Sequence, residues 1–255
     1  MSDTAHLEMR ARARYYLLLH GGPCRAAQQK HMHRIIATAA IVSLLVSIPA
    51  ATSAADSSTA ALSLTDWSAA DLGGINPKVF ALALEAASSA ITRGQVAAPS
   101  TLTVIDYSKP STEPRMWVYD LRSRALLFQE LVSHGRGSGK TMSTTFSNKA
   151  ESNMTSLGLF RTAETYVGHN GYSLRLDGLE RGVNDHARDR AIVIHGAPYV
   201  DAATAKANGY LGRSLGCPAV RPAVAKQLID AVKGGGLLFA YYPDPTWLSS
   251  SDFLN

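Results

Sequence analysis

The sequence predicts a mainly β domain with flanking helices. Three observations carry this reading. Past residue 100 the chain breaks into short runs rich in β-branched and aromatic residues. Helical spacing of apolar residues appears ahead of these runs and again between the last two. No segment repeats another. Strand-rich order with one helix at each end reads as a mostly antiparallel sheet or a sandwich.

The segments follow in chain order. Residues 1–31 are mixed and basic, without periodicity. Met32 stands directly ahead of a secretory pattern. His33 and Arg34 are basic, and Ile35 to Ile48 is apolar apart from Thr38, Ser43 and Ser47. Pro49 then breaks the run, and Ser53-Ala54-Ala55 has the small-x-small form of a cleavage site. Residues 32–55 are therefore read as a signal peptide, and residues 1–31 as an over-extended reading frame, with a long basic leader as the alternative. The apolar run is shorter than the roughly 20 residues that a spanning helix needs. No stable membrane anchor is expected. Cleavage near Ala55 would place the protein in the periplasm or cell envelope and leave 200 residues, one ordinary domain.

Residues 56–75 are rich in Ser, Ala and Thr and read as a flexible leader. Asn76 and Pro77 then open a helix, as cap and first residue, with Phe80, Leu84, Ala87 and Ile91 on one face and Gly94 at its end. Strands are expected in "TLTVIDY", "RMWVYDL", "ALLFQELVSHG", "YSLRLDGL", "AIVIHG" and "GLLFAYYP". Between the last two, "RPAVAKQLIDAVKGGG" places Val224, Leu228 and Val232 on one helical face.

Charge excludes one class of partner. The full chain carries 25 Lys and Arg against 20 Asp and Glu, a formal +5. Six of those basic residues and two of the acidic ones precede Asp56, so the remainder balances to +1. The basic character belongs to the leader and gives no reason to expect nucleic acid as a partner.

Several motifs suggest chemistry that their context does not support. "HGRGSGKT", His134 to Thr141, resembles a phosphate-binding loop, but the first glycine is replaced by His134 and no good helix follows. "GRSLG", Gly212 to Gly216, matches a serine nucleophile elbow at Ser214, yet that scheme needs a histidine after the serine. The last histidine is His195. Past the leader, no lysine has a serine three positions before it. The histidines His134, His169, His186 and His195 lack H-x-x-x-H spacing, so no metal and no cofactor is expected.

What remains is a cysteine and a histidine. With Cys24 in the leader, Cys217 is left as a lone thiol in an oxidising compartment, either buried and inert or kept for its reactivity. His195 ends the strand "AIVIHG", and Cys217 lies 22 residues later, after a loop rich in Ala and Gly. A histidine within reach can take the thiol proton, which a free cysteine holds at neutral pH. Gly216 permits a tight turn in which the amides of Gly216 and Cys217 converge on an oxyanion.

These residues resemble a family. "IVIHGAPYV" followed by "GYLGRSLGCPAV" is similar to the His-Gly … Ser-x-Gly-Cys core of the murein L,D-transpeptidase catalytic domain. The likeness extends over "VSHGRGSG", "FSN" and "TSLGLFRTAETYVGHNGYSLRLDGLERGVNDHARDRAIVIHGA", roughly Leu102 to Val220. It implies an L,D-transpeptidase-like β-sandwich catalytic domain at 76–248, with its core at 102–242 and a tail at 249–255. It implies Cys217 as nucleophile and His195 as base, with the Gly196 carbonyl orienting the ring. The substrate would be a peptidoglycan stem peptide, passed through a thioester to an amine. The alternatives are an L,D-carboxypeptidase that uses water and a non-catalytic wall-binding domain.

Arg213 and Ser214 are candidates for holding a stem carboxylate. His134, Asn184 and Asp185 shape the site or serve as structural hydrogen-bonding groups. Leu215 stands where many members carry histidine, so an oxyanion donor is missing. With Leu211, Tyr199 and Tyr210, it is expected to make the pocket dry.

Overall fold

A computed structural model describes residues 62–255. The upstream extension, the signal peptide and the start of the leader lie outside these residues. Among the described residues no helix is long and apolar enough to cross a membrane.

The strands are β1 Thr101–Asp106, β2 Met116–Asp120, β3 Ala125–Glu130, β4 Gly158–Gly168, β5 Gly171–Gly178, β6 Val193–Gly196, β7 Ala219–Val220 and β8 Leu237–Tyr241. The helices are α1 Pro77–Thr92, α2 Ala202–Asn208, α3 Pro222–Val232 and α4 Pro245–Ser250. Among the described residues eight strands join one sheet, in the order β3-β2-β1-β8-β4-β5-β6-β7. The pairs β1–β8 and β6–β7 are parallel, and the others are antiparallel. The mainly β fold with few helices is therefore as the sequence predicts.

Each helix forms for local reasons. In α1, the Asn76 side chain accepts from the Lys78 amide at 3.0 Å, and Pro77 fills the first position. Phe80, Leu84 and Ala87 are buried on the face that meets β1 and β8, while Ile91 is half-buried. In α3, Leu228 and Val232 are fully buried, and the helix packs on β6. Arg221 caps the entrance to α3 and grips Glu130 with two hydrogen bonds, of 2.9 and 2.7 Å. That fork ties β3 to the chain just past β7. β1 is buried along its whole length, as expected of a strand in mid-sheet.

The two ends of the domain differ from expectation. Residues 62–75 are not loose where they are described. Leu72 and Ile75 are buried, and Trp67 sets its edge against Phe80 at 5.0 Å and Tyr119 at 5.4 Å. The carbonyls of Leu72 and Gly73 accept from Tyr119 and Trp117 at 2.8 and 2.9 Å. Three large apolar groups in a Ser- and Ala-rich stretch are enough to cover β2. The tail at 249–255 is also packed. Phe253 is buried, and Ser251 donates to buried Glu180 at 2.8 Å.

Candidate active site

The sheet register decides where the Cys217 thiol and the His195 imidazole lie. His195 pairs with Ser173 on one side and with Ala219, in parallel, on the other. Cys217 precedes Ala219 by two residues and so falls level with Val193, two residues back along the strand from His195. The half-buried sulfur follows this register. Its Sγ donates to the carbonyl of Ala191 at 3.6 Å. No hydrogen bond joins it to His195 in this structure.

His195 is 4% exposed, and its Nδ1 lies 3.0 Å from the Gly196 carbonyl. A carbonyl can only accept, so Nδ1 carries the proton and Nε2 keeps its lone pair. Burial pushes the histidine pKa down, against the smaller opposing pull of the Gly196 carbonyl. The ring is neutral at pH 7 and in the tautomer of a base. Gly196 has a packing role as well. A Cβ there would come within 2.9 Å of the Ala225 side chain, so glycine lets α3 approach β6.

Ser214 organises the loop before Cys217. Its backbone bridges to the segment at Gly135, donating to the His134 carbonyl at 2.9 Å and accepting from the Arg136 amide at 2.8 Å. Its hydroxyl donates to the Cys217 carbonyl at 2.7 Å and accepts from the Gly216 amide at 3.1 Å. Both ends of the cysteine turn are thus held by one buried hydroxyl. Two expectations change. Ser214 is occupied as an internal tie rather than presented to a ligand, and the Gly216 N–H is already used. The Cys217 N–H donates to no other residue among those described.

Gly216 is needed for conformation and space. Its φ is +132°, and a Cβ would meet Ile192 Cδ1 and the Met154 carbonyl at 2.9 Å. Arg213 stays exposed, donating to the Gly139 carbonyl at 3.0 Å with its guanidinium 5.8 Å from the Tyr210 ring centre.

His134 is fully buried with Nδ1 2.7 Å from Arg115 Nη2, and burial first, then this guanidinium, push its pKa down to about 4. Asn184 donates to the carbonyls of Leu157 and Leu159 at 2.9 and 3.0 Å, and Asp185 accepts from Asn148 and Gly182. All three serve as structural hydrogen-bonding groups.

Burial pushes the Cys217 thiol up, while backbone N–H groups of Val193 and of Cys217 itself and the nearby charge of Arg190 pull it down. Sequence reasoning missed Arg190. In "DHARDRA" it reads as one more solvated charge, and no local pattern distinguishes it.

The apolar wall expected around the thiol is incomplete. Leu215 is 62% exposed, and Leu211 is buried in a separate cluster with Leu131, Val200 and Ala219. Tyr199 packs against that cluster. A cavity of about 560 Å³ opens between Asn148–Ala150 and Gly182–Arg190, with Arg190 in its lining.

Comparison with known proteins gives a consistent family. Residues 72–241 match the L,D-transpeptidase catalytic domain. No curated protein matches the chain by sequence. Among solved structures, the chain is similar to an L,D-transpeptidase from Mycobacterium smegmatis, at 15% identity over 56% of this chain and 59% of that one, with a TM-score of 0.36. It is also similar to an L,D-transpeptidase from Stackebrandtia nassauensis, at 13% identity over 69% of this chain and 75% of that one, with a TM-score of 0.35. The chain thus spans about 59% of the length of the first of these. At such TM-scores the structural likeness carries no argument, and the family rests on the match across 72–241.

Proposed function

The chain belongs to the L,D-transpeptidase catalytic domain family, and on that premise we propose that it is an exported cysteine acyltransferase acting on peptidoglycan stem peptides. The observation that carries the reading is His195, neutral and oriented by the Gly196 carbonyl, on the strand next to the one Cys217 leads into. The thiol proton passes to His195 Nε2, and the sulfur attacks the carbonyl carbon of the third stem residue. The tetrahedral oxyanion is met by the Cys217 amide. Its collapse breaks the peptide bond, His195 returns the proton to the leaving D-amino acid, and a thioester remains. An amine of a second stem then attacks the thioester, giving a cross-link and restoring the thiol.

One movement is required before the first step. The thiol must turn from the Ala191 carbonyl toward His195, and a catalytic hydrogen bond absent without substrate can form in its presence. Export rests on the sequence pattern at 32–55.

The exposure of Leu215, two residues before Cys217, supports a second reading, an L,D-carboxypeptidase with water as acceptor, because this apolar side chain faces solvent and does not close the pocket. Mass spectrometry of a tetrapeptide muropeptide incubated with the protein separates the two. Cross-linked dimers support the transferase; tripeptide without dimer at high acceptor concentration supports the hydrolase. Full turnover by Cys217→Ala would refute both.

A further inference from the structure

Arg190 has an unusual set of partners. Its Nη1 donates to the Ser147 carbonyl at 2.7 Å and to Ser156 Oγ at 2.6 Å. Its Nη2 donates to the Met154 carbonyl at 2.6 Å and to Ser152 Oγ at 3.3 Å. All four acceptors are neutral, and no carboxylate among the described residues pairs with it. The guanidinium plane is fixed while its charge is left uncompensated.

That charge sits behind the cysteine turn. A Cβ on Gly216 would lie 3.3 Å from Nη2, so only the absence of a side chain separates the guanidinium from the residue before the thiol. The next residue, Ala191, has a φ of +53°. A left-handed alanine costs on the order of 1 kcal/mol. Here it joins Arg190 to buried Ile192 and presents the carbonyl that receives the Cys217 thiol.

The other titratable groups near the sulfur are uncharged at neutral pH. Burial pushes the phenols of Tyr107 and Tyr199 up to about 12. His195, on the neighbouring strand, is held neutral. Lys149, His186 and Asp189 share the 560 Å³ cavity with Arg190.

We propose that Arg190 is a positioning residue for the Cys217 nucleophile, its fixed guanidinium holding the electron pair that stays on sulfur when the S–H bond breaks and the proton leaves. This rests on the reading of Cys217 as the nucleophile. The Ala191 carbonyl favours the neutral thiol at rest, and it can only repel a thiolate. Arg190 supplies the opposing attraction, so it sets the pH at which the sulfur becomes reactive.

The test is the rate of iodoacetamide alkylation of Cys217 in the full chain from pH 6 to 10, read on its own peptide so that Cys24 does not contribute. Arg190→Lys and Arg190→Gln lose the same bidentate contacts and differ in charge. Arg190→Lys is expected to keep the wild-type profile. Arg190→Gln is expected to slow alkylation at pH 7 by about tenfold and move the midpoint upward, one pKa unit being tenfold in thiolate.

Ser152→Asp leaves the guanidinium in place but sets a carboxylate against Nη2, and should slow alkylation as Arg190→Gln does, whereas Ser152→Asn should not. Coincident profiles for the two Arg190 variants would overturn the proposal, as would coincident profiles for the two Ser152 variants. If the Arg190 variants do not fold, the Ser152 pair decides alone. Failure of the nucleophile reading is separate: it would appear as turnover by Cys217→Ala, whatever the alkylation profiles show.

Discussion

Acid should destabilise this domain through His134. The ring is fully buried, with Nδ1 2.7 Å from a guanidinium that is itself fully buried. Arg115 donates to the Val132 carbonyl through Nε and Nη2, at 3.1 and 2.9 Å, and to the Lys109 carbonyl at 3.0 Å. It cannot retreat when a second positive charge forms. Burial first, and this guanidinium second, keep His134 unprotonated until about pH 4, against an ordinary value of 6.5. Between these values the unfolded chain binds a proton that the folded chain refuses. Stability is therefore full above pH 6.5 and falls as the pH drops toward 4. About 2.5 units of depression correspond to about 3 kcal/mol at the acid limit.

The assay is urea unfolding followed by circular dichroism at pH 7, 5.5 and 4, on wild type and His134→Asn. Asparagine Oδ1 can accept from Arg115 in place of Nδ1, and it does not titrate. The variant should be less stable at pH 7 but lose about 3 kcal/mol less than wild type on going to pH 4. Equal losses in the two proteins would refute the assignment and move the acid sensitivity elsewhere.

Three further outcomes follow from the geometry. His195→Ala should slow acylation of Cys217 by a muropeptide by about 100-fold or more, measured by intact-protein mass spectrometry, with the melting curve retained. Gly216→Ala should destabilise by about 1–3 kcal/mol, because φ is +132° and the new methyl meets Ile192 and the Met154 carbonyl. Gly209→Ala is the comparison, since that glycine is also left-handed but has open space around it, and thermal melts should rank it the milder of the two. Glu180→Gln should cost about 1–3 kcal/mol in urea. The carboxylate accepts from Leu159 and Ser251 at 2.7 and 2.8 Å and from Trp247 at 3.0 Å, and an amide NH₂ would face a donor in either orientation.

How much of this was legible in the sequence depended on how local each cause is. Helix α1 announced itself through Asn76-Pro77 and its apolar face, and α3 through the spacing of Val224, Leu228 and Val232. β1, β2 and β8 are apolar runs bounded by turn residues. β4 escaped because its outer half carries Thr162, Glu164 and Thr165 and ends exposed at Val167. Its pairing with β5 and β8, which supplies the stability, is invisible in one dimension. α2 and α4 are short helices of seven and six residues, with little room for periodicity.

The same division runs through the site. The Gly196 carbonyl lies 3.0 Å from His195 Nδ1, a contact between neighbours in the chain. The hydroxyl of Ser214 could be read as a ligand-binding group because its competing partners, Gly216 N–H and Cys217 C=O, are free on paper and claimed only once the turn closes. The distance from thiol to imidazole is less local still. It is set by the parallel register of β6 with β7, which places Ala219, not Cys217, beside His195. A chain that must hold both residues while leaving the thiol on the Ala191 carbonyl has its reactive pair assembled but unengaged. On the reading given above, substrate then has two things to supply: the displacement of that carbonyl contact and the acyl group itself. That ordering is testable, because a substrate analogue without a scissile bond should raise the alkylation rate of Cys217 before it blocks it, and protection at every analogue concentration would mean that the thiol engages His195 without help.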